Sequence, residues 1–220
     1  MFPTVLGLLL LLLLLVSFLT LPADSVRFSQ NGQKAIVDYH NTIRSQLAHG
    51  KFVTKRQTKR PSGANIRQIV WNETLAASSD SFATRNPSSH SNIAGIGENL
   101  YWRWATKPGD LQQYGKQAAE SWINEFREFD WDTNLLTDAL FASGVGHATQ
   151  MVWADTDQIG CAFATFPEKH KKTGRPITKI CVVCHYWPKG NFLNEPIYVE
   201  GAPCSKCKSA RCDSSSGLCT

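Results

Sequence analysis

The sequence of 220 residues has no long low-complexity tract and no repeat at a period of roughly 20–50 residues, and its 42% hydrophobic and 10% aromatic content is far too apolar for a disordered chain. Disorder and solenoid architectures are thereby excluded. After residue 21 no apolar stretch reaches membrane-spanning length, because charges or prolines interrupt each one. There is no Gly-x-Ser-x-Gly elbow, which argues against a serine hydrolase, and Ser88, Ser89 and Ser91 around His90 read as ordinary loop residues. No acidic residue occurs between Tyr39 and Asn72, whereas seven basic ones do: Arg44, Lys51, Lys55, Arg56, Lys59, Arg60 and Arg67. That run accounts for the net charge of +5, since the rest of the chain carries 16 basic against 18 acidic residues. It suits anionic lipid headgroups or sulfated sugars, or else a solvated loop, for which Thr54, Gln57, Thr58, Pro61, Ser62 and Gly63 supply the chemistry. With no recognition motif beside it, nucleic acid is not an expected partner.

What the first residues hold is a leader. Val5 to Leu21 is almost wholly apolar and contains eight consecutive leucines, Leu8 to Leu15, followed by Pro22 and a small Ala23. A secretory signal over 1–23, cleaved to start near Asp24, is the simplest reading. Against it, no Lys or Arg precedes the run, and 17 residues approach the roughly 20 of a membrane anchor. A cleaved leader makes the protein secreted and extracellular, with membrane contact only by transient lipid exchange. In that compartment Cys161, Cys181, Cys184, Cys204, Cys207, Cys212 and Cys219 are expected as disulfides rather than zinc ligands, with one thiol left over because seven is odd. Asn72-Glu73-Thr74 is a glycosylation sequon, although Asn72 serves equally as a helix N-cap.

Periodicity predicts helices over 33–49 (Ile36, Tyr39, Ile43, Leu47, ended by Gly50), 73–84 and 111–129, the last with a stripe of Ala119, Trp122, Ile123 and Phe126. Between the second and third, 88–109 reads as a loop. Strands are expected at 149–153, 159–166 and 180–187, which are short and rich in β-branched and aromatic residues. Helices first and strands later suggest an α+β fold with an antiparallel sheet covered by helices. The segment 204–219, with four Cys in 16 residues, reads as a disulfide-stapled appendage without a core of its own.

His90, Glu98, Glu120 and His147 stand in unusual settings but are scattered over 58 residues, so spacing alone does not bring them together. Two imidazoles and two carboxylates suit a divalent transition metal, and equally a polar cluster that satisfies itself by hydrogen bonds. Two motifs go further. Gly146-His147-Ala148-Thr149-Gln150-Met151-Val152-Trp153 and Cys184-His185-Tyr186-Trp187-Pro188-Lys189-Gly190-Asn191-Phe192 resemble, in order, the two signatures of the CAP superfamily (cysteine-rich secretory proteins, antigen 5, pathogenesis-related 1). Gly97-Glu98-Asn99-Leu100-Tyr101, His40-Asn41-x-x-Arg44 and Trp71-Asn72-x-x-Leu75-Ala76 fit as well, and within the superfamily the chain looks most like helminth venom allergen-like proteins.

The resemblance implies a three-layer α-β-α sandwich with a central antiparallel sheet over 24–203, followed by a Cys-rich, hinge-like tail at 204–220. It also implies a cleft where His90 and His147 bind a divalent cation, zinc or magnesium, with Glu98 and Glu120 as partners. Disulfides Cys161–Cys184, Cys204–Cys212 and Cys207–Cys219 follow by the same likeness, leaving Cys181 unpaired. Ala148 stands where the family has an aromatic residue, which is expected to widen the cleft wall. Relatives bind sterols and fatty acids, and Trp102, Trp104, Trp122 and Phe126 are the candidate lipid contacts here, although aromatics at helical spacing such as Trp122 and Phe126 also fit a core. The expected function is therefore extracellular binding of sterol, fatty acid or a related lipid, acting in host interaction or immune modulation and not as an enzyme. A metal-dependent hydrolase and a receptor-binding effector that acts on host proteins are the alternatives.

Overall fold

A computed structural model describes residues 24–208 and 211–220. The leader expected at 1–23 lies outside the described residues. In chain order the elements are β1 (Asp24–Arg27), α1 (Gln30–Ala48), β2 (Val70–Trp71), α2 (Glu73–Ala83), β3 (Gly97–Ala105), α3 (Tyr114–Glu128), α4 (Asp138–Ala142), α5 (Gly146–Val152), β4 (Gln158–Lys169), β5 (Pro176–Trp187) and a small hairpin of β6 (Cys212–Asp213) and β7 (Leu218–Cys219).

Helix α1 begins where the Ser29 hydroxyl accepts from the Gly32 N–H at 3.3 Å and ends at Gly50, whose φ of +64° is the left-handed turn expected there. It buries Ile36, Ile43 and Leu47, and on the same face His40 and Arg44. For α2 the N-cap is Asn72, whose Oδ1 accepts from the Leu75 N–H at 3.0 Å. This helix lies directly on β4: a Cβ at Gly160 would sit 2.1 Å from the Ala76 nitrogen and 2.5 Å from the Asn72 oxygen. The sheet runs β1-β4-β5-β3, antiparallel throughout that path, with β2 attached in parallel to the start of β4. Helices α1, α3 and α5 cover one face and α2 the other, giving the expected α-β-α sandwich. The main core lies on the first side. A smaller one of Ala83, Leu100, Ala164, Cys181 and Val183 lies beneath α2.

Two sequence expectations are corrected. The segment 88–109 is not all loop, because Gly97–Ala105 is β3, paired along its whole length with β5 from Tyr186 to Thr178. Nor is 149–153 a strand: it lies in α5 and its C-cap. The β-branched Thr149 and Val152 suggest extended chain, but tertiary contacts override them. The Arg44 guanidinium donates to the carbonyls of Met151 and Trp153 at 2.9 Å each, of Ala154 at 3.1 Å and of Thr156 at 2.8 Å, while its Nε reaches the Arg67 carbonyl at 2.7 Å. All five guanidinium donors are used, and the carbonyls that leave the end of α5 are satisfied by a side chain of α1.

The disulfides implied by the resemblance are all present. Cys161 and Cys184 face each other across β4 and β5 with Cα atoms 4.1 Å apart, and Cys204–Cys212 and Cys207–Cys219 tie the tail. Cys181 is buried on the opposite sheet face, and burial pushes its thiol up to about 11. The tail is more than an appendage. Leu218 is buried in the main core, and Cys219 exchanges backbone hydrogen bonds with Ile66 and Gln68 at 2.9 and 2.8 Å.

Candidate functional site

Three of the four expected site residues converge. His90, on the loop after α2, donates from Nδ1 to Glu98 Oε1 on β3 at 2.7 Å. His147, in the first turn of α5, donates from Nδ1 to a carboxylate at 2.6 Å, but that carboxylate belongs to Glu125 and not to Glu120. Glu120 is exposed and pairs with Lys116 at 3.5 Å. Helical phase explains the correction. Glu125 lies one turn after Trp122, about 60° around α3 from it, whereas Glu120 lies on nearly the opposite side. Trp122 marks the cleft side, because its indole stacks on the His147 ring with centroids 6.0 Å apart and planes 18° apart. Glu125 Oε2 also accepts the backbone N–H groups of His147 and Ala148, at 3.1 and 3.0 Å. One carboxylate thus caps the start of α5 and sets the orientation of its histidine.

His185 is the residue that sequence reasoning missed. It is wholly buried on β5 and donates from Nε2 to Glu98 Oε2 at 2.9 Å, while its Nδ1 accepts from the Ser78 hydroxyl at 3.0 Å. Glu98 therefore receives two imidazole donors and the Ser91 backbone N–H at 2.9 Å. Burial alone would raise its carboxyl pKa, but the hydrogen bonds from His185, His90 and Ser91 outweigh burial and hold it well below the ordinary carboxylate range. The available signal was positional: His185 lies directly across from Glu98 in the sheet register.

A second polar chain supports the cleft floor. Asn99 donates to the His147 carbonyl at 3.1 Å and to the Tyr186 hydroxyl at 3.3 Å, that hydroxyl donates to His40 Nε2 at 3.0 Å, and His40 Nδ1 donates to the Ile36 carbonyl at 2.8 Å. Full burial lowers the His40 pKa to about 4, so the ring is neutral at pH 7 and the chain of donors runs one way. Ala148 does not widen the cleft wall, because its side chain is buried in the main core.

The lipid candidates separate. Phe126 is fully buried and stacks on Trp131 at 4.3 Å, and Trp122 is 2% exposed with its indole N–H on the Leu100 carbonyl at 3.0 Å. Both are core residues, and this corrects their assignment as lipid contacts. Trp102 donates to the Pro87 carbonyl at 3.1 Å and packs on the smaller core. Trp104 alone is open, 51% exposed on β3, with its N–H on Glu168 at 2.8 Å.

The donor set fits a divalent cation held in an open manner. The His90 and His147 ring centroids are 6.5 Å apart, and neither Nε2 has a hydrogen-bond partner among the described residues. A divalent cation, if bound, would be held by the two Nε2 atoms of His90 and His147. The His90 side chain is 52% exposed on its loop, so its Nε2 is open to solvent. Among the described residues no three His, Cys, Asp or Glu side chains gather into a closed metal site, so solvent would fill the remaining positions.

Comparison with known proteins agrees with this architecture. A family model described as "Cysteine-rich secretory protein family" (CAP) matches residues 37–186. The Ancylostoma secreted protein of Ancylostoma caninum is 31% identical over 210 residues, 90% of this chain and 44% of that longer protein. Among solved structures, that of BmVAL-1 superposes with a TM-score of 0.77 at 35% identity, covering 88% of this chain and 95% of that one. The crystal structure of NaASP2 with Zn2+ gives a TM-score of 0.75 at 31% identity, covering 88% and 97%. With the family's match spanning the helices and strands that build the cleft, the chain belongs to the cysteine-rich secretory protein (CAP) family and is of the helminth venom allergen-like kind.

Proposed function

We propose that the protein is an extracellular binding protein, not an enzyme, and that it takes a divalent cation, zinc or magnesium, between His90 and His147. The observation that carries this reading is the matched pair of imidazole–carboxylate contacts, His90 with Glu98 and His147 with Glu125. Each carboxylate holds Nδ1, fixes the tautomer and leaves Nε2 as the donor a metal uses. When bound, the cation supplies a fixed positive charge at the floor of the cleft. The structure of NaASP2 with Zn2+ supports extending the ion to this chain. Among the described residues no serine or cysteine side chain hydrogen-bonds to the His90 or His147 ring, whose Nδ1 atoms are held by Glu98 and Glu125.

Calorimetric titration of the purified protein with Zn2+ tests the reading. The His90→Ala/His147→Ala variant is expected to lose uptake, and Glu125→Gln to weaken it about 10–100-fold, the usual effect of removing a carboxylate behind a ligating histidine. Glu120→Gln should match the wild type. Undiminished uptake by the double variant would overturn the cation site, and hydrolysis of a peptide or ester that vanishes in that variant would make the protein an enzyme.

Extracellular lipid binding, of a sterol or fatty acid, is the second reading, and the half-exposed indole of Trp104 favours it. Saturable uptake of labelled cholesterol or fatty acid, competed by unlabelled lipid and weakened in Trp104→Ala, is the expected result; no saturable uptake by the wild type ends it. A role in immune modulation through host proteins rests on family membership, and a receptor contact of that sort would survive the Trp104→Ala change.

A further inference from the structure

The end of the sheet farthest from the tail is strongly cationic. Lys169, Lys171, Lys172 and Arg175 crowd the tip of the β4–β5 hairpin, all are exposed, and none of their side chains makes a hydrogen bond or ion pair among the described residues. Lys107 adds an exposed cation just past β3, which ends beside the hairpin with Ala105 opposite Thr178. Glu168 is the one acidic residue between Asp157 and Glu195, and its Oε2 is engaged by the Trp104 indole at 2.8 Å. Trp104 itself lies at the margin of this cluster, half exposed, with Lys179 Nζ 5.8 Å above its ring.

We propose that this end of the molecule docks on the surface of an anionic lipid bilayer. The four hairpin cations meet phosphate and carboxylate headgroups, and the Trp104 indole seats at the boundary between headgroups and acyl chains, where amphipathic rings collect. A sulfated polysaccharide would use the cations and leave the large apolar ring without a role, so the indole favours the bilayer. Such docking needs neither a cation in the cleft nor a lipid inside the protein; it shares Trp104 with the lipid reading, and the hairpin-cation variant separates the two, since it should lose vesicle binding and keep any uptake of free lipid.

Sedimentation of the secreted protein with vesicles of phosphatidylcholine, alone or mixed with phosphatidylserine, tests it. Binding to the mixed vesicles only is expected, and it should weaken steeply as salt is raised. Each removed cation should lower the partition constant about fivefold, so Lys169→Ser/Lys171→Ser/Lys172→Ser/Arg175→Ser should lose roughly 100-fold or more. Lys51→Ser/Lys59→Ser, which removes exposed cations elsewhere, should bind as the wild type does. Trp104→Ser should weaken binding while leaving its salt dependence unchanged. Equal binding to both vesicle types, or full binding by the quadruple variant with an unchanged circular dichroism spectrum, would overturn the proposal. So would retention on heparin without binding to phosphatidylserine vesicles, which would reassign the patch to a sulfated polysaccharide.

Discussion

Two basic stretches of the chain meet opposite fates. Along the sequence the run from Arg44 to Arg67 is the more conspicuous, yet the fold consumes most of it. Arg44 is wholly buried among backbone carbonyls, Arg60 lies 4.7 Å over the Trp131 ring, Arg56 pairs with Asp130 at 2.7 Å, Arg67 pairs with Asp157, and Lys55 donates to the Glu128 carbonyl at 2.7 Å. The hairpin from Lys169 to Arg175 has fewer cations and engages none of them. Linear charge density therefore does not tell a surface from a scaffold. What separates them is the opposing partner: loop carbonyls, an indole and carboxylates lie against the first stretch, and only solvent lies against the second.

The largest expected effect is at Arg44. Replacing it with Met keeps much of the volume but leaves five carbonyl acceptors without their donor. A loss of roughly 4 kcal/mol is expected, a large share of a typical 5–15 kcal/mol total. Arg44→Lys should recover little, because an ammonium has three donors and no planar fork. Urea unfolding measures both, and a loss below about 1 kcal/mol in Arg44→Met would break the contrast between the stretches.

How much of this was legible beforehand depended on what carried the signal. Helices α1 and α2 were legible because their apolar residues recur at helical spacing next to a recognisable end, Gly50 for one and Asn72 for the other, although α1 begins three residues earlier than read, at the Ser29 cap. Strands β4 and β5 were legible from dense β-branched runs, although both extend further into the hairpin than hydrophobicity indicates. Strand β3 was hidden because Glu98, Asn99 and Arg103 interrupt its apolar positions, and it is held by pairing with β5 across some 80 residues of intervening chain. For the cleft, the family resemblance located His90, Glu98 and His147. Local pattern did not separate Glu120 from Glu125, since both sit in one helix and only the direction faced by Trp122 decides between them. His185 lay inside a recognised motif, and its role needed the sheet register.

A smaller effect should come from His40, which lies one turn before Arg44 on the buried face of α1. Its folded pKa of about 4 lies below the ordinary value of 6.5. Between those pH values the unfolded chain binds a proton that the native one refuses, so stability is full above about pH 6.5 and falls as the pH drops toward 4. The loss over that window is on the order of 3 kcal/mol. The Glu98 carboxylate is depressed instead, so its contribution is present above the ordinary carboxylate range and disappears only at lower pH. Unfolding midpoints between pH 7 and 4.5 should therefore decline in the wild type and stay flatter in His40→Asn. Equal slopes would mean that the His40–Tyr186–Asn99 chain tolerates a charged ring.

The smallest effect belongs to the hairpin and is the sharpest form of the comparison. Lys171→Ser/Lys172→Ser removes two exposed cations with no hydrogen bond or ion pair, so global stability should stay within about 0.5 kcal/mol of the wild type. Its sign carries further information. If Lys169, Lys171, Lys172 and Arg175 repel one another, the double variant should be slightly more stable at low ionic strength, and the gain should fade as salt shortens the screening length toward about 8 Å. Arg56→Ser, one of the consumed cations, should lose stability at every salt concentration because it leaves the largely buried Asp130 carboxylate unpaired. A hairpin variant that lost as much as Arg56→Ser would show that these lysines hold the fold together, and the cationic end would then be scaffold as well.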